Sequence, residues 1–377
     1  MTPFNCHQAL VRRGTSLQVA TVATQQPSTG GLLVELSFVG VCGTDLQILN
    51  GSRPDTAEIL GHEGVGIVVR AGEGAAVGVG ESVVFNPTAQ MSSGRILGHN
   101  VPGLFQQYFT VSESALDEGL VLPARSCAPP ISGALVEPLG AVIYAHELVS
   151  SITPDFRTVA VFGAGPVGLL STMYFTSLGA KVLLIHPSPS RLNRAVSLKL
   201  VDATSTLVLS EALPERMLAR NEGRRFDAAL ICTTRQGAPA ALSHAVRVIK
   251  RGGCIDMIVN YPQAAAVPQG ITADAIRAVR AANACGTPLK GEYVISEVGG
   301  QRIAFTGHRG TSRSHLLRAA QLLQSSTSPY ARLITHALSL RNAAQAIEAL
   351  AGSQRRLLSG HDCIKAVIDL KGDSDAP

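Results

Sequence analysis

Two short stretches of the chain carry residue types that hold metal ions. Cys42-Gly43-Thr44-Asp45 follows the apolar Phe38-Val39-Gly40-Val41, and Gly61-His62-Glu63-Gly64-Val65-Gly66 comes shortly after it. Thiolate, imidazole and carboxylate are all good zinc ligands, and a catalytic zinc takes three protein ligands and keeps a fourth position open. Cys42, His62 and one carboxylate would complete such a set. The carboxylate is either Glu63 or Glu137, the latter in Val136-Glu137-Pro138-Leu139. A single cysteine is more often a small core residue, and a single histidine more often structural. Their joint placement in glycine-rich turns, upstream of a nucleotide motif, favours the metal.

That second motif is Gly163-Ala164-Gly165-Pro166-Val167-Gly168, a G-x-G-x-x-G element. Among 37 glycines the pattern alone is weak. Its setting strengthens it, because the apolar run Val159-Ala160-Val161-Phe162 precedes it and a helical pattern follows. The first glycine makes the tight turn, the second lets a pyrophosphate approach, and the third lets helix and strand pack closely. The phosphate is held at the helix N-terminus, where Pro166 and Val167 begin the first turn. The next strand ends at His186, where an acid for the ribose 2′-hydroxyl is expected. The sequence there is His186-Pro187-Ser188-Pro189-Ser190-Arg191, with no carboxylate. Ser188, Arg191 and His186 could instead bind a 2′-phosphate, so NADP(H) is expected over NAD(H). The plainer reading of Arg191 is that it begins the next helix and covers the adenine face.

These residues need elements to position them. The first 85 residues read as β-rich, with strands expected over 32–38, 64–69 and 82–85 and glycine-rich turns between them, the spacing of a small barrel. From residue 159 the pattern changes to strand–helix alternation: strands over 159–162, 181–185, 226–231 and 253–259, helices over 166–179, 191–200 and 238–249. Such alternation gives a parallel sheet with helices on both faces. Later elements are less regular: strands over 302–306 and 363–370, helices over 312–323 and 341–350. The segment 261–300 has no clear place and carries one expected helix, 274–284.

A chain of 377 residues with 46% hydrophobic and 16% charged residues is globular and long enough for two domains. A net charge of +5, no Trp and 4% aromatic residues argue against a nucleic-acid partner. The longest apolar run, 159–170, is broken by glycine and proline and too short to span a bilayer, so no membrane association is expected. Arg12 and Arg13 precede no apolar targeting segment. Seven cysteines, odd in number and never in a C-x-x-C pair, argue against a disulfide framework and for a reducing, cytoplasmic setting.

As a set, the motifs resemble the zinc-containing branch of the medium-chain dehydrogenase/reductase family. Gly61-His62-Glu63 followed by Gly66, Gly72 and Ala75 matches its signature, and Cys42-Gly43-Thr44-Asp45 matches its Cys-Gly-Ser/Thr-Asp element. Gly103-Leu104-Phe105-Gln106-Gln107-Tyr108 is similar to its Gly-x-Phe-x-x-Tyr stretch. Glu137-Pro138-Leu139 resembles the polyol, sugar and threonine dehydrogenase members. The resemblance implies an α/β protein: a GroES-like β-barrel catalytic domain (1–148 with a return segment 327–377) and an inserted Rossmann domain, a doubly wound parallel sheet (149–326), with the active site in the cleft. It implies zinc on Cys42, His62 and Glu137 or Glu63, Thr44 contacting the substrate oxygen and passing on its proton, and Asp45 orienting a ligand or a neighbouring base. Glu63 is a candidate both as ligand and as catalytic residue. It also implies a homodimer or homotetramer joined through the nucleotide domain's edge strand, for which 302–306 is the candidate.

Three departures from the family matter. The four-cysteine structural zinc lobe is missing, since 88–100 holds no cysteine, so one catalytic zinc and no structural zinc is expected. Gln47 stands where many members have a relay histidine. The segment 261–300 is longer than the usual link and reads as a lid, a substrate wall or a subunit contact. The expected activity is a zinc-dependent NAD(P)(H) oxidoreductase interconverting a secondary alcohol and a ketone on a small polar polyol, sugar or cyclitol-like substrate. The alternatives are a zinc-free medium-chain reductase of an activated double bond or quinone, and a non-catalytic NADP(H)-binding protein.

Overall fold

A computed structural model describes residues 5–88, 94–124, 130–324, 328–353 and 356–371. The chain divides into two compact units, Met1–Glu137 with Leu316–Pro377, and Pro138–His315.

The first unit is built on a curved, mostly antiparallel sheet. Its strands run in the order Ile334–Ser339, Lys365–Asp369, Leu32–Gly40, Glu63–Ala71, Ser82–Phe85 and Val121–Pro123, with Tyr108–Val111 also paired to Leu32–Gly40. A hairpin, Cys6–Arg13 and Ser16–Ala23, lies outside that sheet. The central strand Leu32–Gly40 is buried at most positions, and Leu32, Val34, Leu36 and Val39 join Phe85, Leu104 and Phe105 in one core. Each such side chain contributes about 1.5–3 kcal/mol on burial. Two register shifts along the pairing with Glu63–Ala71 bend this strand, as bulges do. At its end Gly40 pairs with Glu63 on one side and Val367 on the other. The register therefore gathers the start of one strand and the return of the C-terminal segment at a single point.

The second unit is a doubly wound sheet. Thr206–Val208, Lys181–His186, Thr158–Phe162, Phe226–Ile231, Ile249–Asp256 and Gln301–Thr306 are parallel neighbours in that order. Their apolar runs fit strands covered on both faces. Thr158–Phe162, which carries the glycine motif on its C-terminal end, lies in the middle.

One expectation is corrected here. The strand containing 302–306 is not the edge of the sheet, because Val294–Val298 pairs with it antiparallel and takes that place. The segment 261–300 therefore holds the helix Ala273–Ala282 and then this edge strand. Gly299 and Gly300, both at positive φ, make the two-residue turn between Val298 and Gln301. A strand–helix rhythm hides such a hairpin, although the Gly-Gly pair was its signal.

The strand Ile249–Asp256 ends on an expensive residue. Asp256 is fully buried, and neither carboxylate oxygen has a hydrogen-bond partner among the described residues. Burial pushes its carboxyl up to about 7 from an ordinary 3.8, with Arg280 pulling the other way. The folded state thus holds this proton more tightly than the unfolded one. Stability should fall as pH rises from about 4 to about 7, with the full cost, up to about 4 kcal/mol, present above that range. Asp256→Asn removes the charge. We expect it to raise the unfolding free energy relative to wild type more at pH 8 than at pH 5, measured by denaturant titration. An equal effect at both values would show that the carboxylate is not the source.

Candidate functional site

In the first unit the thiol of Cys42, the ring of His62 and the carboxylate of Glu63 place donor atoms within 4.8 Å of one another. Cys42 caps the helix Gly43–Leu49, while His62 and Glu63 enter the strand Glu63–Ala71 from the turn at Gly61. Asp45 fastens these two segments together. Its Oδ2 accepts from the Cys42 amide at 2.8 Å and its Oδ1 from the Gly61 amide at 3.1 Å. Burial opposes ionisation of Asp45, but the facing His62 and the two amides outweigh it, and its carboxyl is held below the ordinary value. Asp45 is fully buried and joins the turn at Gly61 to the start of the helix at Cys42.

Glu63 is buried and forms an ion pair with Lys365, whose ammonium also donates to the Val41 carbonyl at 3.1 Å. A Cβ at residue 40 would lie 2.5 Å from Glu63 Oε2 and 2.9 Å from Lys365 Cε, so only glycine leaves room for the pair. Burial alone would lower the Lys365 ammonium, and Glu63 then Cys42 reverse this and raise it. Sequence reasoning missed Lys365 and Gly40. The signal for the first was a lysine inside an apolar terminal strand, which needs a buried acid.

Glu137 sits half-buried in the first turn of the helix Val136–Ile152. Burial and the Glu63 carboxylate push its own carboxyl up to about 7. It feels the cluster, but it is not among the donors that lie within mutual reach. Thr44 and Gln47 lie half-exposed on the helix Gly43–Leu49. Behind His62 stands His99, its ring centroid 5.2 Å away and its Nδ1 2.9 Å from Asp55, which Arg53 also holds. His99 belongs to the stretch 88–100, of which residues 89–93 lie outside the described residues.

The cluster fits zinc on its own chemistry. A thiolate, an imidazole and a carboxylate converge, and His62 Nδ1 is buried without a hydrogen-bond partner, 3.5 Å from Asp45 Oδ1. Burial disfavours a charged His62, but Asp45 and Cys42 together hold its ring well above the ordinary imidazole value.

In the second unit the glycine motif has the shape a pyrophosphate needs. Gly163 has φ 114, and a Cβ there would lie 2.5 Å from the Cys232 carbonyl oxygen. A Cβ on Gly168 would lie 1.8 Å from the Gly163 carbonyl oxygen, so this glycine sets the helix–strand contact. Gly165 faces open space just before Pro166 and Val167 start the helix Pro166–Ser177. The next strand delivers His186, whose Nδ1 accepts from the Ser188 amide at 3.0 Å. Ser188 caps the following helix through the Arg191 amide and lies 2.9 Å from the Ser190 hydroxyl. Arg191 is buried, and its Nε donates to the Ala164 carbonyl at 2.7 Å. Its guanidinium thus braces the glycine turn itself.

Residues 28–119 match the model of the alcohol dehydrogenase GroES-like domain. The chain is 30% identical to a D-xylulose reductase of Scheffersomyces stipitis over 258 residues, 61% of this chain and 68% of that protein. It is 32% identical to a 2-dehydro-3-deoxy-L-galactonate 5-dehydrogenase of Pseudoalteromonas atlantica over 183 residues, 44% of this chain and 52% of that protein. Among solved structures, an alcohol dehydrogenase from Thermotoga maritima shares the fold with TM-score 0.73 at 22% identity, covering 97% of this chain and 99% of that one. The architecture is thus a GroES-like barrel with a Rossmann domain. The chain belongs to the zinc-containing medium-chain dehydrogenase/reductase family, the alcohol and polyol dehydrogenases.

The ion pair gives a direct test. Lys365→Met should cost about 3–5 kcal/mol in denaturant unfolding, because it strands a buried carboxylate. Adding Glu63→Gln to it should recover part of that loss. Equal losses in the single and double variants would show that the two residues are not coupled.

Proposed function

We propose that the chain is a zinc-dependent NAD(P)(H) oxidoreductase that interconverts a secondary alcohol and a ketone on a polyol, sugar or cyclitol-like substrate. The observation that carries this reading is the convergence of Cys42, His62 and Glu63 in a protein that also has the dinucleotide turn. Cys42, His62 and Glu63 would hold the zinc, with Glu137 the neighbouring carboxylate. Zinc, when bound, supplies a Lewis acid that makes an alcohol more acidic or a carbonyl more electrophilic. A nicotinamide coenzyme, when bound, accepts or supplies the hydride.

The chain's own residues do the rest. Asp45 keeps both ligand turns in place, and Lys365 holds the Glu63 carboxylate in position. Thr44 carries a hydroxyl beside Cys42 and is the group we assign to orient the substrate oxygen and take up or return its proton. Gln47 does not titrate near neutral pH, so that proton leaves through water or by a route other than residue 47. The relatives' names support the substrate class, since they are a xylulose reductase and a sugar-acid dehydrogenase. For the coenzyme we propose NADP(H), because the turn from His186 to Arg191 offers hydroxyls and no carboxylate. We assign self-association, as a dimer or tetramer, to the edge strand Val294–Val298, where Tyr293 and Ile295 are exposed apolar residues.

Elemental analysis should find one zinc per chain. Cys42→Ala should lose the zinc and the turnover yet still bind dinucleotide, seen by coenzyme fluorescence. Two tightly bound zinc ions, or full activity in that variant, would overturn the assignment.

The kcat/KM of the wild type should favour NADP(H) over NAD(H) about tenfold to hundredfold, the worth of one charge-assisted contact. His186→Asp should shift the ratio towards NAD(H). Equal efficiency in the wild type, or an unmoved ratio in the variant, would show that this turn does not set the preference.

A further inference from the structure

Three cations of the first unit are committed to partners. Lys365 is spent on Glu63, Arg53 on Asp55, and Arg12 on the carbonyls of Ala57 and Asp55. Arg356 is different. Its Nη2 and Nη1 lie 3.3 and 3.5 Å from where a Cβ on Gly43 would be, beside the residue that separates Cys42 from Thr44. Among the described residues its guanidinium has no ion pair and no hydrogen bond, and it is half-exposed.

The fold holds Arg356 there deliberately. It opens a small hairpin, Leu357–Leu358 and His361–Asp362, and its carbonyl accepts from the Cys363 amide at 2.9 Å. Leu358 and Cys363 are buried in the core of the first unit, which anchors the hairpin on both arms. Arg356 itself has φ 49, a left-handed conformation that a long side chain seldom adopts. Backbone strain of this kind persists where the surroundings impose it and tends to gather at working sites. An arginine at residue 43 itself could have supplied a cation. Here that position is a glycine, and the guanidinium arrives over it from the C-terminal segment.

We infer that Arg356 is a specificity-determining residue that receives a carboxylate of the substrate, so that the enzyme acts on hydroxy acids of the sugar-acid class. This inference rests on the dehydrogenase reading above. A guanidinium presents paired N–H donors that match a carboxylate in a two-point contact, which neutral polyols cannot make. Gly43 is the residue next to Cys42, so a carboxylate held on Arg356 would lie in the neighbourhood of the cluster. The unpaired charge also imposes selectivity in the other direction, since a neutral ligand that covers it leaves it desolvated and unmatched.

The test compares zinc-loaded wild type with Arg356→Gln and Arg356→Lys, all checked for an unchanged thermal transition. The substrates are a panel of aldonates and the neutral polyols of the same configurations. We expect Arg356→Gln to lower the aldonate-to-polyol ratio of kcat/KM by about tenfold to hundredfold, chiefly through KM, and Arg356→Lys to restore part of it. Calorimetric titration of aldonate into the same proteins, independent of turnover, should show binding to wild type that weakens in Arg356→Gln. An unchanged ratio and unchanged aldonate binding would overturn the inference. So would a loss shared equally by both substrate classes together with a raised coenzyme KM, which would assign Arg356 to coenzyme phosphate. If no substrate is turned over but aldonate still binds through Arg356, the dehydrogenase reading fails and the anion site stands.

Discussion

A buried ion pair organises the first unit. Glu63 and Lys365 are far apart in sequence and meet where Gly40 leaves space for them. Two charges taken out of water gain little net stability from one another, but either alone is costly. The pair therefore acts chiefly as a requirement. The C-terminal strand must dock in one register against Leu32–Gly40, because a slip by one residue would turn Lys365 to the other face of the sheet. His62 directly precedes Glu63 in the chain, and Asp45 ties the turn just before them, at Gly61, to Cys42. The ion pair and the Asp45 bonds together fix the segments that carry the three donors.

The two units carry their chemistry in different ways. In the glycine turn the backbone sets the shape: the glycines leave out side chains, and Arg191 and Ser188 lock the flanking segments. In the Cys42, His62 and Glu63 cluster the side chains set it, with buried charge packed around them. Burial acts on Asp45, Lys365 and Glu137 alike, and neighbouring charges reverse its effect on the first two and add to it on Glu137 through Glu63. A change at one of them alters the others, so single substitutions there report on the group.

Much of this was legible in the sequence because it is local. The glycine motif needs only a strand before it and a helix after it, and both are visible in the apolar pattern. Cys42 and His62 lie in short motifs with their own spacing. What stayed hidden depends on long-range pairing. Lys365 looks like an ordinary lysine until the terminal strand is placed beside Gly40. The edge strand Val294–Val298 is short, mixed in polarity and partly exposed, so no period marks it. Arg356 approaches Gly43 only because a hairpin more than three hundred residues later folds back onto the first core.

The division of the chain has a consequence for how the protein is made. Pro138–His315 is one continuous stretch, so the second unit holds all its strands before Lys365 is made. The other unit needs Lys365–Asp369, which leaves the ribosome after the whole of that stretch. Chains emerge at about 5–20 residues per second and tend to fold domain by domain from the N-terminus. For the seconds that separate Glu63 from Lys365, the nascent barrel therefore carries an acid with no cation to bury it and a sheet with one open seam. The unit begun first is completed after the other, and Glu63 gains its cation only once the whole of the second unit has been made.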